Sequence, residues 1–163
     1  MQVRKLRRED LDAVFAIYAR ARQLMRESGN PNQWKDSHPA RELTEGDVEN
    51  VTGYVIEDGG EIVGVFAFIL GRDPTYGYIE GEWLNDEPYG TMHRIAASGK
   101  VRGVLGTCLA FCESQIGNVR VDTHADNKIM QHLLEKYGYR KCGIIYIADG
   151  SPRIAYQKRV TTN

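Results

Sequence analysis

Residues 91–116 read TMHRIAASGKVRGVLGTCLAFCESQI, and this stretch decides the fold. Its first part predicts a β-strand, and its last part predicts an apolar helix. The turn between them, at 98–102, carries Lys100 and Arg102 and is followed by Gly103. Free N–H groups at the start of a helix attract anions, and a glycine lets a phosphate approach the backbone. The turn therefore favours a phosphate or pyrophosphate ligand, although many strand–turn–helix units serve only as connections.

The rest of the chain predicts alternating strands and helices. A strand at 3–7 precedes an amphipathic helix that extends to Met25, and a weaker helix follows at 40–50. Two β-rich runs flank Asp-Gly-Gly at 58–60, which predicts a hairpin. A long loop follows at 71–90. The later predicted elements are helices at 103–116 and 126–137 and strands at 119–122, 139–147 and 153–157. This order is typical of an α/β (α+β) domain with a mixed sheet.

Composition indicates one globular domain over residues 1–163, because 42% of the residues are apolar and no repeat or linker interrupts them. The three cysteines lack CxxC spacing, so we expect reduced thiols and a cytoplasmic protein. We also expect no signal peptide, since the first ten residues are charged, and no membrane partner, since the longest apolar run, 62–70, is too short to span a bilayer.

The net charge of −1 argues against a nucleic-acid partner, because binding to phosphate backbones usually requires a basic surface. The charge is unevenly distributed. Residues 51–100 carry three basic and eight acidic side chains, whereas residues 101–163 carry nine and five. The acidic segment could meet a cationic ligand and the basic segment an anionic one, although ordinary scatter would produce the same numbers.

Later residues extend the pattern of the glycine turn. Residues 121–127 read VDTHADN, and a helix then ends in KYGY at 136–139. With the turn KVRGVL at 100–105, this series resembles the GNAT acyltransferase superfamily. Its members carry a Q/R-x-x-G-x-G/A turn after the fourth strand, an Asn at the next helix start and a glycine cap. The stretches GNPNQW at 29–34 and HRIA at 93–96 are similar to a bacterial branch of that family whose substrate is unassigned.

The resemblance implies a GNAT fold, with a mixed sheet of about six to seven strands, about four flanking helices, and splayed fourth and fifth strands. It implies transfer of an acetyl group from acetyl-CoA to a primary amine of a small molecule, directly in a ternary complex and without a metal. Backbone groups of one strand segment would bind the pantetheine, and the turn would bind the pyrophosphate. The cofactor residues implied are Ile95, Ala96, Ala97, Lys100, Val101, Arg102, Gly103, Val104, Leu105, Gly106 and Asn127.

The catalytic groups are less clearly marked. Many family members carry a tyrosine acid seven residues after the Asn, where this chain has Leu134, so Tyr137 is the alternative acid. The amine must lose a proton, and the candidate bases are His93, Glu80, Glu82 and His124. His93 leads the strand expected to hold the acyl group, and an imidazole titrates near neutral pH. Each candidate could equally be a structural side chain.

Five aromatic residues in the irregular segments could line an acceptor pocket or could simply pack the loop onto the domain: Trp34, Tyr76, Tyr78, Trp83 and Tyr89. The acidic segment 51–100 would then receive the cationic amine. Two other functions stay open, namely a non-catalytic acyl-CoA-binding or regulatory domain and a protein or peptide N-acetyltransferase. The family resemblance also makes a homodimer possible.

Overall fold

A computed structural model describes residues 1–35 and 38–160. It contains an eight-stranded sheet and four α-helices. The strands are β1 (Gln2–Lys5), β2 (Gly53–Asp58), β3 (Glu61–Leu70), β4 (Glu80–Gly81), β5 (Gly90–Ala97), β6 (Asn118–Thr123), β7 (Arg140–Tyr146) and β8 (Pro152–Arg159). The helices are α1 (Leu11–Glu27), α2 (Arg41–Glu49), α3 (Val104–Gln115) and α4 (Lys128–Lys136). The predicted mixed α/β architecture is confirmed.

The sheet has one more strand than predicted because β4 forms inside the segment that was expected to be a loop. This two-residue strand pairs with β7, where Gly81 lies opposite Gly143. Both glycines have a positive φ, and a Cβ on either would collide with the opposite backbone. Only a pair of glycines permits this close approach, and a two-residue strand has no side-chain periodicity from which it could be predicted.

The strand order is β1-β2-β3-β5-β6-β8-β7-β4. Neighbouring strands are antiparallel except β5 and β6, which run parallel and pair only at Gly90 with Val119 and Thr91 with Arg120. Beyond these residues the two strands diverge and the sheet opens. Strands β5 and β6 correspond to the predicted fourth and fifth strands, because β4 shifts the numbering by one. The predicted splaying of these two strands is confirmed.

Helix α3 packs on one face of the sheet and helix α1 on the other. Cys108, Leu109 and Cys112 of α3 are almost completely buried in the larger core, so these two thiols are packing residues. Gly64 in β3 lets α3 approach closely, because a Cβ there would lie 2.7 Å from Cγ1 of Val104. On the opposite face, Val14, Ile17 and Tyr18 of α1 pack in a second core with Val55 and Val65. The sheet is therefore covered on both faces.

The described residues lack two further features. No helix there is long and apolar enough to cross a membrane. Within residues 1–35 and 38–160, no three His, Cys, Asp or Glu side chains gather closely enough to hold a metal ion.

Candidate functional site

A cavity of about 470 Å³ opens where β5 and β6 diverge. Residues 92–95 of β5 and 121–122 of β6 form its floor. Its walls come from segments that are distant in sequence: residues 32–35, His38, Thr75, Asn127, Met130, residues 147–149 and Arg153. Helices cover both faces of the sheet, so a ligand can reach the middle of the sheet where β5 and β6 diverge.

The backbone of β5 is distorted at the cavity. Arg94 has a φ of 53°, and the register with β3 shifts there, which is a β-bulge. Two side chains from helices α1 and α2 hold this bulge in place. Tyr18 Oη of α1 donates to the Arg94 carbonyl at 2.9 Å, and Asp47 of α2 binds the Arg94 guanidinium at 2.8 Å. Residues 92–97 have no paired strand on the β6 side. Their peptide groups can therefore bind an extended ligand as a strand would.

Helix α3 begins after the turn that follows β5. Gly103 is the N-cap and has a φ of 82°, in the left-handed region that favours glycine. The N–H groups of Val104, Leu105 and Gly106 come first in the helix, where no earlier helical carbonyl can accept from them. A Cβ at position 103 would meet only the Met1 Cε, at 3.5 Å. The turn is thus open and can accept an anion such as a pyrophosphate. Lys100 contributes less charge than expected, because its ammonium pairs with Glu61.

Asn127 lies at the start of α4, as the sequence predicted. Its Oδ1 accepts from the Met130 N–H at 3.0 Å, and its Nδ2 donates to Gln33 Oε1, also at 3.0 Å. Gln33 Oε1 accepts in addition from Asn30 Nδ2 at 2.9 Å. The asparagine therefore lines the cavity while capping α4 and holding the segment around Gln33 against the sheet.

A polar cluster lies beneath the β5 side of the cavity. His93 Nε2 is 2.9 Å from Asp73 Oδ2, and this hydrogen bond lowers the pKa of Asp73. Tyr76 Oη donates to Asp122 Oδ2 at 2.6 Å, and burial raises the pKa of Asp122 in spite of that bond. The Asp73 carboxylate orients the imidazole ring, which is the arrangement that a general base requires.

The structure brings several predicted site residues together at this cavity. His93, Ile95, Asn127 and Trp34 line it directly. Ala96 and Ala97 continue β5 toward the turn at 100–106.

Other predicted residues lie outside the cavity lining. Glu80 accepts from Tyr146 Oη at 2.8 Å on the outer strands β4 and β7, and Glu82 is exposed just beyond β4. Tyr78 is 65% exposed, with its ring 6.4 Å from that of Tyr146.

Three of the five predicted aromatic residues pack the loop onto the sheet. The Arg120 guanidinium lies 4.0 Å from the centre of the Trp83 ring and 3.8 Å from that of Tyr89. Tyr76 is buried beside Trp83, and Asp122 accepts its hydroxyl hydrogen bond. Of the two interpretations that the sequence left open, the structure favours packing for these three residues, and only Trp34 lines the cavity.

The alternative acid, Tyr137, lies near the turn and outside the cavity lining. A Cβ on Gly106 would be 2.6 Å from its hydroxyl oxygen, so the ring packs on the first turn of α3. Leu134 is fully buried in the core. His124 lies on the loop before α4, where its Nδ1 accepts from the Asp126 N–H at 3.0 Å.

Five residues at or beside the cavity were not predicted as site residues from the sequence: Asp73, Asp122, Arg153, Gln33 and His38. One signal was present, because Arg120 and Asp122 alternate with valines in β6 and so share the polar face of the strand. The side chains that contact this face come from a loop more than thirty residues earlier in the chain. Tyr76, for example, precedes its partner Asp122 by 46 residues in the sequence. Local patterns hold no information about pairs so far apart.

His38 provides a test of the packing around the cavity. Burial, together with the charges of Arg94 and Arg153, lowers the pKa of His38 to about 4. An unfolded histidine titrates at about 6.5, so between these values the unfolded chain binds a proton that the folded chain does not. The contribution of His38 to the free energy of unfolding is therefore largest above about pH 6.5 and falls as the pH approaches 4. We expect His38→Gln to reduce this loss in thermal melts.

The matched control for that experiment is His132→Gln, because His132 is exposed on α4. It should keep the pH profile of the wild type. Equal slopes in the wild type and His38→Gln would contradict the assignment of His38 as a buried neutral imidazole.

Comparison with known proteins agrees with this architecture. The family model described as "Acetyltransferase (GNAT) domain" matches residues 1–140. A GNAT-family acetyltransferase from Streptococcus agalactiae is 33% identical, with a TM-score of 0.90, and the match covers 99% of this chain and 96% of that one. No curated protein matches the sequence.

More distant structures share the fold alone. A GNAT-family acetyltransferase from Listeria monocytogenes is 19% identical over 98% of this chain and 94% of that one, with a TM-score of 0.73. A ribosomal-protein-alanine N-acetyltransferase from Brucella melitensis is 20% identical over 98% of this chain and all of that one, with a TM-score of 0.66. The splayed strands, the glycine turn and the match of the family model over most of the chain together show that this protein belongs to the GNAT acetyltransferase family.

Proposed function

We propose that the protein is an N-acetyltransferase that moves the acetyl group of acetyl-CoA to a primary amine, in a ternary complex at the cavity. The observation that carries this proposal is the divergence of β5 from β6, which exposes the backbone of residues 92–97 beside His93. Binding both substrates at one opening supplies the proximity that direct transfer needs. Acetyl-CoA supplies an acyl thioester, which is already activated toward amines.

The residues present fit this donor. Backbone groups of Ile95, Ala96 and Ala97 would bind the pantetheine amides, and a backbone N–H there would stabilise the negative charge that develops on the carbonyl oxygen. The open turn at 100–106 would hold the pyrophosphate. Arg102, which is exposed beside this turn, adds a positive charge near the phosphates.

We assign the general base to His93. The ring lines the cavity, and Asp73 binds one of its nitrogens. It would accept the proton that the ammonium of the acceptor must lose, either directly or through one water. Tyr137 is the candidate acid, since it lies against the first turn of α3. A thiolate leaves readily because a thiol has a pKa of about 8.5, so the core position of Leu134 does not prevent the reaction.

The cavity favours a small acceptor over a protein chain. Trp34, Lys35 and residues 147–149 form part of its walls. A ribosomal-protein alanine, the acceptor in the name of the Brucella melitensis neighbour, would have to enter between these segments as part of a protein chain. The volume of about 470 Å³ suits a molecule of amino-acid size together with the end of the donor.

Acetyl-CoA should raise the melting temperature of the protein. A ligand present at 100 times its Kd adds about 2.7 kcal/mol to the free energy of unfolding, which corresponds to roughly 5–10 °C for a domain of this size. ATP, which carries phosphates without pantetheine, is the control and should produce a much smaller shift. An unchanged melting temperature at high micromolar acetyl-CoA would contradict the proposed donor.

Release of free thiol with a panel of amines then tests catalysis. Amine-dependent release supports the transferase. Binding of acetyl-CoA without release with any amine would instead support the non-catalytic acyl-CoA-binding domain that the sequence left open.

A further inference from the structure

Arg153, at the start of β8, lines the cavity without a carboxylate partner. It is 6% exposed, and its guanidinium donates to the Pro152 carbonyl at 2.8 Å, the Gln33 carbonyl at 3.3 Å and the Ser151 hydroxyl at 3.3 Å. All three acceptors are neutral. Among the described residues, no carboxylate oxygen lies within 4.0 Å of this group. Burial lowers the pKa of Arg153, and the carboxylates of Asp122 and Asp149, which act in the opposite direction, do not form an ion pair with it.

Three other buried or half-buried arginines are compensated within the protein. Arg4 binds Asp10 and Glu57, and Arg94 binds Asp47. Arg120 lies between two aromatic rings, which attract a guanidinium. Arg153 has neither kind of partner, and it faces a cavity that we assign to substrates. A guanidinium in such a place matches the planar, forked geometry of a carboxylate.

Strands β5 and β6 contribute acidic and basic side chains to the same cavity. Asp122 and His93 line it, and Asp73 binds the His93 ring. The cavity therefore presents a cation at β8 and acidic and basic groups near β5 and β6. We propose that the acceptor is a free amino acid or a similar amino-carboxylate, whose carboxylate binds Arg153 while its amine faces His93. This inference rests on the proposed function and names its substrate class.

Two further charged residues, Lys35 and Asp149, line the cavity. Asp149 accepts from the Ser151 N–H at 2.9 Å, and its charge acts on both the Lys35 ammonium and the Arg153 guanidinium. Among the described residues, Arg153 still has no direct contact with a carboxylate. The N-terminal residue of a peptide has a neutral amide where a free amino acid has a carboxylate. Arg153 would therefore select against peptides and in favour of free amino acids.

The experiment compares free L-amino acids with their carboxamides, using the full-length protein. Thiol release gives kcat/KM for each pair, and thermal shift in the presence of coenzyme A gives binding without turnover. We expect at least one amino acid to be favoured over its carboxamide by about 10- to 100-fold in kcat/KM, the range for a hydrogen bond to a charged group. Arg153→Gln should bring this ratio close to one by raising KM, and leave the affinity for acetyl-CoA unchanged. Arg153→Lys should keep part of the preference.

Arg120→Gln is the matched control, because Arg120 is a buried arginine on the neighbouring strand β6 and lies outside the cavity lining. It should lower stability and keep the ratio. The inference is wrong if no amino acid exceeds its carboxamide in rate or in binding, or if Arg153→Gln retains the preference. Should Arg153→Gln fail to fold, the wild-type ratio and Arg153→Lys decide the question. In either case, thiol release with simple amines would leave the proposed function standing.

Discussion

Gly103→Asp is expected to weaken acetyl-CoA binding by about two orders of magnitude. The new carboxylate would lie at the N-cap of α3, beside the N–H groups that we assign to the pyrophosphate. Two like charges about 5 Å apart near a protein surface repel by roughly 3 kcal/mol, and 1.4 kcal/mol corresponds to a factor of ten. Calorimetric titration of both proteins with acetyl-CoA measures the effect.

Gly103→Asn is the matched control, because asparagine has the shape of aspartate without its charge. Both residues tolerate the left-handed conformation that position 103 requires, and the space around it is open except for Met1. We expect both variants to melt near the same temperature, with only the aspartate variant losing most of its affinity. Equal affinities for the two variants would show that the phosphates bind elsewhere.

His93→Gln is expected to lower kcat by about 100-fold or more, the usual contribution of a positioned general base. Glutamine can still form a hydrogen bond with Asp73, but it cannot take up a proton near neutral pH. Acetyl-CoA binding should stay within about twofold of the wild type, because the turn at 100–106 is untouched. Steady-state kinetics with a saturating donor separates the two effects.

Two further variants make this experiment specific. Asp73→Asn should produce a smaller loss of kcat, since it removes the charge that orients His93 and keeps the ring. Glu82→Gln should retain nearly full activity, because Glu82 is exposed beyond the outer strand β4. A large loss in Glu82→Gln together with an active His93→Gln would reverse our assignment and restore the glutamate as the base.

The charge distribution has a different meaning in the structure than in the sequence. The acidic segment 51–100 was expected to meet a cationic amine. Three of its eight carboxylates are instead paired with basic side chains: Glu57 with Arg4, Glu61 with Lys100 and Glu87 with Arg159. Asp73 is the member that reaches the cavity region, through His93. A count of charges along the chain cannot reveal which of them are already neutralised.

The sequence by itself determined the elements and the family. Apolar periodicity predicted α1 and α3, the Asp-Gly-Gly turn predicted the β2–β3 hairpin, and the glycine turn predicted the start of α3 at Gly103. These features depend on residues within a few positions of each other, where backbone preferences and hydrophobic spacing act directly. The same local signals predicted Asn127 at the start of α4.

The tertiary structure alone decided which residues line the cavity. It places Gln33, which is 120 residues away in sequence, against Arg153, and it places Tyr76 against Asp122. It also separates Glu80 and Tyr78 from the cavity by drawing them to the outer edge of the sheet. Such contacts depend on how strands that are far apart in the chain are ordered in the sheet, and this order follows from burying the whole apolar surface at once. No short stretch of sequence contains that information.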